Sequence, residues 1–206
     1  MNRICYIPVL EGQSDAVRAW TAGVRERYGV IPVLLPPVDW NDDLTPWPAE
    51  PIFKKGKSFG GRAEAYLARL ETEVIPSFEA EMGIVPDERW MAGVSLSGLF
   101  ALWAAVRGRS FHRVAAISAS FWYPGFTAWL QEQSFPAAFL SAYISLGDQE
   151  ARGKNPHLKN IAGETAAVVR ILDEKSVPTV FEWTEGTHFA AVVPRLEKAI
   201  FALAGL

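Results

Sequence analysis

Short apolar segments that are rich in β-branched and aromatic residues alternate along this chain with segments of helical periodicity. Most of the strand-like segments are unbroken rather than alternating in polarity, which is typical of strands buried on both faces. They lie at residues 4–10, 30–35, 89–94, 114–118, 142–146 and 179–183. Between them apolar residues recur at helical spacing, as at Leu99, Leu102 and Val106. This order predicts an α/β fold, with a mostly parallel sheet of about six strands, helices on both faces and right-handed crossovers.

Length and composition fit one such domain over residues 1–206. Half of the 206 residues are apolar, so the chain can bury a substantial core. The net charge of −3 provides no basic field for a phosphate backbone, and we expect no nucleic-acid partner. The first residues do not resemble a signal sequence and no apolar run reaches the length of a membrane span. We therefore expect a cytoplasmic protein without a membrane partner.

The sequence GVSLSG at residues 93–98 lies where a predicted strand ends and a predicted helix begins. A serine on a tight strand-to-helix turn, with small residues two positions before and after it, is the pattern of a nucleophile elbow. Ser95 is that serine and Gly93 precedes it, whereas Ser97 stands where glycine is usual. We expect the turn to accommodate the hydroxymethyl group of Ser97. The sequence thus predicts Ser95 as a nucleophile, the alternative being a tight packing turn without chemistry.

A serine hydroxyl is a weak nucleophile at neutral pH and needs a base to take its proton. The chain has three histidines. His188, in EGTHFA, directly follows the last predicted strand, and its position after Ser95 fits the order serine, acid, histidine. His112 precedes a strand and is expected to be a surface or strand-entry residue, and His157 lies in a polar loop. His188 is therefore the predicted base.

The acid that orients this base is expected on the loop after the penultimate strand, which reads SLGDQE at residues 145–150. Two carboxylates compete there. Glu150, three residues beyond Gly147, suits a turn that directs a carboxylate toward the histidine loop, and it is the first choice. Asp148 is the second choice, and the sequence leaves both open.

Negative charge that develops on a substrate oxygen needs N–H donors that are fixed before the reaction starts. The N–H of Leu96, the residue after the nucleophile, is one donor by the geometry of the elbow. A second is expected from the loop after the first strand, where Gly12 would let the substrate approach the backbone closely.

Two aromatic segments, residues 36–57 and 121–136, interrupt the alternation of strands and helices and are expected to be loops or short excursions. Loops at the carboxyl ends of parallel strands build the binding site in such sheets. The candidates for the pocket wall are Trp40, Trp47, Trp122, Tyr123 and Trp129. Local packing is an equally good interpretation of each of these side chains.

With these motifs the chain resembles the putative esterase family, the branch of the α/β-hydrolases that includes enterobactin esterases and S-formylglutathione hydrolase. The similarity covers nearly the whole chain. It is carried by AGVSLSGLFALWA, SASFWYPGF, SLGDQEARGKNP and FEWTEGTHF. The resemblance implies an α/β-hydrolase fold with Ser95 and His188 as catalytic residues. The chain departs from the family pattern in showing only six strands and opening on what would be the third of eight, so we expect a trimmed sheet of order 4-3-5-6-7-8.

These observations together predict hydrolysis of a small-molecule carboxylic ester through an acyl-enzyme intermediate. Ser95 would attack, His188 would transfer the proton, and Glu150 or Asp148 would steady the imidazolium, without metal or organic cofactor. The aromatic loops would favour bulky or aromatic esters. A thioesterase or peptidase would use the same groups. A catalytically silent hydrolase fold used for binding is the alternative from another class, and it predicts no covalent labelling of Ser95.

Overall fold

A computed structural model describes residues 1–36, 38–52, 56–152, 156–188 and 190–205. Its main element is a six-stranded sheet in which every neighbouring pair of strands is parallel, as predicted. Two further strands, β3 and β4, form a short antiparallel pair. In chain order the described strands are β1 (Arg3–Ile7), β2 (Val30–Leu34), β3 (Pro48–Ala49), β4 (Phe59–Gly60), β5 (Glu88–Val94), β6 (Arg113–Ile117), β7 (Ser141–Gly147) and β8 (Thr179–Thr184).

The order of the strands in the large sheet is β2-β1-β5-β6-β7-β8. The chain starts at β1, pairs β2 on one side of it, and then crosses back to place β5 on the other side. This is the predicted trimmed order, with β1 in the position of the third strand of the full fold. Because the direction of winding reverses between β1 and β5, a crevice is expected at the carboxyl ends of these two strands.

Helices cover both faces of the sheet. The described helices are α1 (Ser14–Thr21), α2 (Val24–Tyr28), α3 (Trp40–Asp43), α4 (Ala63–Arg69), α5 (Ile75–Met82), α6 (Leu96–Arg107), α7 (Phe126–Glu132), α8 (Pro156–Lys159), α9 (Ile161–Glu174) and α10 (Val192–Gly205). Helices α1, α2 and α10 pack against one face, where Cys5 and Ile7 of β1 point. Helices α4, α5, α6, α7 and α9 pack against the other face, with Ile4 and Tyr6. Successive residues of one buried strand thus supply both cores.

Helix α6 begins directly after Ser95, and residues 96–106 are all buried. A helix that is apolar on all sides is stable only when it is enclosed. Its amino end is therefore held firmly at the edge of the sheet where β5 ends, and this fixes the place of the predicted nucleophile.

Two of the helical segments are interrupted. Gly23 separates α1 from α2, and a π-helical turn, Leu70–Val74, joins α4 to α5. Pro76 in the first turn of α5 has no N–H to donate to the preceding turn, which explains the second interruption. The two aromatic segments expected to be loops or short excursions contain the short helices α3 and α7. None of the helices within the described ranges combines the length and apolar character needed to cross a bilayer.

Candidate active site

Ser95 lies between β5 and α6 in a conformation that residues with a side chain rarely adopt, with φ 62° and ψ −124°. Such a backbone costs on the order of 1–3 kcal/mol and persists only where the surroundings impose it. Here the Ser95 N–H donates to the carbonyl of Ile117 on β6 at 3.1 Å. The Ser95 carbonyl accepts from the N–H groups of Gly98, Leu99 and Ser120, each at 3.1 Å. Four hydrogen bonds therefore hold the strained turn.

The small residues around Ser95 are required by the closeness of the strand and the helix. A Cβ added at Gly93 would collide with the carbonyl of Ser97, so only glycine fits at that position. The Ser97 hydroxyl accepts from the Val94 N–H at 2.8 Å and donates to the Val94 carbonyl at 2.9 Å. The turn thus accommodates Ser97, and the Ser97 hydroxyl stabilises the turn by bonding to both backbone groups of Val94.

A cavity of about 330 Å³ opens at this edge of the sheet, and both Ser95 and His188 line it. Most of its wall is apolar, and it includes two of the aromatic candidates, Trp40 and Trp122. The other lining residues are Leu10, Gln13, Asn41, Pro51, Ile52, Gly56, Lys57, Phe59, Val94, Leu96, Ser118, Ser120, Glu150, Leu158 and Ile161. A mostly apolar cleft with a few convergent polar groups is the usual form of a small-molecule site.

The imidazole of His188 is paired with a buried carboxylate. Its Nδ1 lies 2.8 Å from Oε2 of Glu150, whose side chain is only 4% exposed. The other oxygen, Oε1, accepts from the Ser118 hydroxyl at 2.6 Å and from the Gly147 N–H at 2.7 Å. The carboxylate is therefore fixed in one orientation, with one oxygen left for the histidine.

Opposing effects set the charge of Glu150. Burial is the largest effect and raises the pKa of the carboxyl, but the hydrogen bonds from His188, Ser118 and Gly147, with the charge on the histidine, outweigh it. The pKa of Glu150 thus lies below its ordinary range, so the group is ionised at neutral pH. An ionised carboxylate on Nδ1 favours the imidazole tautomer that leaves Nε2 as the base.

The other sequence candidates for acid and base make different contacts. Asp148 accepts from the Gly186 N–H at 2.8 Å and so braces the loop that carries His188. The Nδ1 of His112 accepts from the Arg89 N–H at 3.1 Å, at the amino end of β6. The side chain of His157 lies outside the described part of the chain. Among the described residues, no group of three or more histidine, cysteine or acidic side chains could hold a metal ion.

Comparison with known proteins identifies the family of this chain. The profile of the putative esterase family matches residues 12–188. The chain belongs to this family. A curated relative, uncharacterized protein YbbA of Bacillus subtilis, is 30% identical over 137 residues, which are 65% of this chain and 55% of that relative. The chain therefore matches little more than half the length of that relative.

Solved structures share the fold of this chain at low sequence identity. An IroE-like serine hydrolase from Shewanella oneidensis is 17% identical with a TM-score of 0.78, covering 99% of this chain and 70% of that one. The siderophore hydrolase EstA from Aspergillus nidulans is 18% identical with a TM-score of 0.69, covering 99% and 83%. These likenesses support the trimmed α/β-hydrolase fold.

The two residues predicted as oxyanion donors differ in whether they line the cavity. Leu96 lines it and is the first residue of α6, where backbone N–H groups have no acceptor within the helix. Gly12 lies in the 3₁₀ turn Glu11–Gln13 and is not among the described lining residues, although Leu10 and Gln13 on either side of it are.

Three of the aromatic candidates stand behind the cavity wall rather than in it. The ring of Trp47 lies 5.9 Å from that of Tyr123 and 6.1 Å from that of Trp129, between ring centroids. The Trp47 Nε1 donates to the Pro124 carbonyl at 2.8 Å, and the Tyr123 hydroxyl donates to the Trp47 carbonyl at 2.5 Å. This cluster joins the two aromatic segments and so supports the wall that Trp40 and Trp122 form.

Sequence reasoning missed three polar residues at the site. Ser118 and Ser120 follow β6, and Ser120 Oγ lies 3.3 Å from Ser95 Oγ. Arg195, on α10, donates to Ser118 Oγ at 2.9 Å. The motif SASFW contains both serines, and a signal was present in their position at the carboxyl end of a strand. Arg195 carries no such signal, because a single arginine in a helix resembles any solvated residue.

Proposed function

We propose that this protein is a serine hydrolase that cleaves carboxylic esters through Ser95, His188 and Glu150. The observation that carries the proposal is the shared cavity: a serine on a strained strand-to-helix turn faces the same space as an imidazole that is paired with a buried carboxylate. Each group has the surroundings that its role needs. Membership of the putative esterase family supports the same reaction.

In the first half of the reaction, His188 accepts the hydroxyl proton of Ser95 as Oγ attacks the ester carbonyl. The carbonyl π bond opens to a tetrahedral oxyanion, and the imidazolium then gives its proton to the departing alcohol as the C–O bond breaks. Water repeats these steps on the acyl-enzyme and releases the acid. Glu150 holds the imidazolium throughout, since its ionised Oε2 faces Nδ1 at 2.8 Å.

The oxyanion is stabilised by N–H groups that are already in place. We assign the first donor to Leu96, which opens α6 beside Ser95 and lines the cavity. The second donor comes from the segment after β1, where Leu10 and Gln13 line the cavity. Gly12 stays a prediction for this role.

The wall of the cavity selects the acyl or alcohol group. Trp40 and Trp122 present flat apolar surfaces to it, and Phe59 packs against Trp122 with ring centroids 6.0 Å apart. Burial of apolar area contributes roughly 25 cal/mol for each Å². Bulky or aromatic esters therefore gain more from this wall than acetyl esters do.

The test is hydrolysis of a panel of p-nitrophenyl esters and matched thioesters. Ser95→Ala and His188→Ala are each expected to lower kcat by about 10³-fold or more. Ser77→Ala and His112→Asn, which change the same residue types far from the cavity, should retain activity.

Two results would contradict the proposal. Activity unchanged in Ser95→Ala or His188→Ala would remove the assigned groups from the reaction. A wild-type protein that is folded and inactive on every ester and thioester would favour a silent hydrolase fold that binds ligands. Faster turnover of the thioesters than of the matched esters would instead assign the same groups to a thioesterase.

A further inference from the structure

Behind the proposed catalytic pair lies an arginine that the reaction scheme does not use. Arg195 is in the first turn of α10 and is only 3% exposed. A buried guanidinium costs several kcal/mol unless it is paired. Its Nη1 lies 3.6 Å from Oε1 of Glu150, the carboxylate that also faces His188. The positive charge of Arg195 therefore lies close to the proposed catalytic residues.

One set of contacts runs through a hydroxyl to the carboxylate. Arg195 Nη1 donates to Ser118 Oγ at 2.9 Å, and Ser118 Oγ lies 2.6 Å from Oε1 of Glu150. Because arginine can only donate, the single hydroxyl proton of Ser118 is directed at Glu150. The Gly147 N–H adds a second bond to the same oxygen at 2.7 Å. Oε1 is thus fully engaged, and the carboxylate cannot turn Oε2 away from His188.

A second set of contacts holds the loop that carries the histidine. Arg195 Nη2 donates to the carbonyls of Glu185 at 2.9 Å and Thr187 at 3.1 Å. These carbonyls flank Gly186, whose φ of 97° marks a sharp turn just before His188. One guanidinium therefore fixes both partners of the histidine–glutamate pair relative to each other.

We propose that Arg195 is a positioning residue for the Glu150–His188 pair, and that its positive charge sets the pH range in which His188 serves as a base. This inference rests on the proposed function. The guanidinium neutralises part of the charge of Glu150, so the protonated imidazole is stabilised less than a lone carboxylate would stabilise it.

The other charged groups that the structure describes near the histidine can be named one by one. Glu150 is its direct partner. Asp148 accepts from the N–H of Gly186, which lies in the loop that carries His188. Lys57, across the cavity, has its Nζ 2.7 Å from Oδ2 of Asp39 and 3.9 Å from Oδ2 of Asp42, so its charge is balanced there. Glu185, next to the turn, is exposed to solvent, which screens its side chain. Within the described ranges, Arg195 is the cation that is both buried and in contact with Glu150.

Two substitutions of Arg195 separate the effect of its charge from the effect of its shape. Arg195→Met removes the charge and keeps much of the volume, whereas Arg195→Lys keeps the charge without the planar fork. In Arg195→Met we expect kcat to fall by about 10–100-fold, with KM within about 2-fold, because the reacting groups lose their alignment. The rising limb of the pH–rate profile should move up by about 0.5–1 pH unit, and Arg195→Lys should return it toward the wild-type position.

The deciding measurement is an NMR pH titration of the His188 ring in the wild type, Arg195→Met and Arg195→Lys. His112→Asn and His157→Asn identify the other two histidine signals. A higher midpoint in Arg195→Met, restored in Arg195→Lys, supports the proposal. The same midpoint in all three proteins would overturn it. An unchanged kcat in Arg195→Met, calculated per fluorophosphonate-reactive site, would also overturn it and leave Arg195 a structural residue.

The NMR titration does not depend on whether the protein hydrolyses esters. If the ester assays fail, the proposed function falls, but the midpoints still report whether Arg195 acts on His188. Should Arg195→Met not fold, Ser118→Ala breaks the same route to Glu150 while keeping the arginine. We expect this variant to lower kcat by about 3–10-fold, since one hydrogen bond contributes about 1 kcal/mol. A wild-type kcat in folded Ser118→Ala would count against the route.

Discussion

Two buried glutamates lie at opposite ends of the same sheet, and each has an arginine beside it. At the amino end of β5, Oε2 of Glu88 accepts from Trp90 Nε1 at 2.7 Å and Arg113 Nε at 2.8 Å, and Oε1 accepts from Arg113 Nη2 at 3.3 Å. At the carboxyl end, Arg195 lies farther from its glutamate and reaches it through a hydroxyl. The fork of Arg113 thus occupies both oxygens of Glu88.

Under the proposed function, a glutamate with a nearby arginine serves stability at one end of the sheet and chemistry at the other. The bidentate arginine bonds to both carboxylate oxygens, so neither oxygen of Glu88 is left to pair with a side chain such as histidine. The arrangement around Glu150 leaves Oε2 for His188, which faces the cavity. We therefore expect loss of the first pair to weaken the fold and loss of the second to weaken the reaction.

The sharpest test exchanges each carboxylate for an amide. Glu150→Gln should lower kcat/KM by about 10³-fold, because the amide can hold the wrong tautomer of His188 and cannot balance the imidazolium charge. Glu88→Gln is the matched control and should leave kcat/KM within about 2-fold for folded protein. Steady-state kinetics on an activated ester, with circular dichroism to check the fold, make the comparison. Equal losses in the two variants would break it.

Removal of each arginine tests stability in the same way. Arg113→Met should cost about 3 kcal/mol in the free energy of unfolding, because it leaves the Glu88 charge buried with few partners. Arg195→Met should cost less, since Glu150 keeps the bonds from Ser118, Gly147 and His188. Urea denaturation measures both. A larger loss in Arg195→Met than in Arg113→Met would contradict the account.

Acid should weaken the pair of Glu88 and Arg113 in a predictable pH range. Burial is the largest effect on Glu88 and raises its pKa, but hydrogen bonds from Arg113 and Trp90 and the charges of Arg113 and Arg3 hold the pKa below the ordinary value of 4.5. A lowered pKa gives stability that is complete above 4.5 and is lost as the pH falls through the folded value.

In a series of melting curves between pH 6 and pH 3, Tm should therefore fall less steeply for Glu88→Gln than for the wild type. Each kcal/mol corresponds to about 2–4 °C for a chain of this size. Ionic strength is held constant so that screening does not change along the series. Parallel Tm curves for the two proteins would show that the Glu88 carboxylate contributes nothing in this range.

The smallest effect is expected at Asp148, the other acid of the loop that carries Glu150. Asp148→Ala removes the bond to the Gly186 N–H and should lower kcat by about 3–5-fold, the equivalent of one exposed hydrogen bond. Asp148→Asn keeps an acceptor oxygen and should recover most of the activity. A loss in Asp148→Ala as large as that in Glu150→Gln would make Asp148 the catalytic acid.

Much of the fold follows from local patterns. Unbroken apolar segments predict strands buried on both faces, and β5 and β6 lie within one residue of the predicted limits. The motif around Ser95 predicts a turn because Gly93 has no room for a Cβ, which is a local requirement. The spacing from Gly147 to Glu150 is also local, and it places the carboxylate against His188.

Long-range contacts were beyond the reach of the sequence. Arg195 meets Ser118 across 77 positions of the chain, and neither residue type is unusual where it stands. The aromatic side chains show the same limit: Trp40 lines the cavity while Trp47 packs behind its wall, and both come from one segment. Which face a loop residue presents depends on the whole fold rather than on its neighbours.

The most direct test of the central claim is intact-protein and peptide mass spectrometry after reaction with a fluorophosphonate. The account predicts a single adduct on Ser95 in the wild type, none in Ser95→Ala, and much slower labelling in His188→Ala. An unlabelled wild type, or an adduct that persists in folded Ser95→Ala, would contradict it.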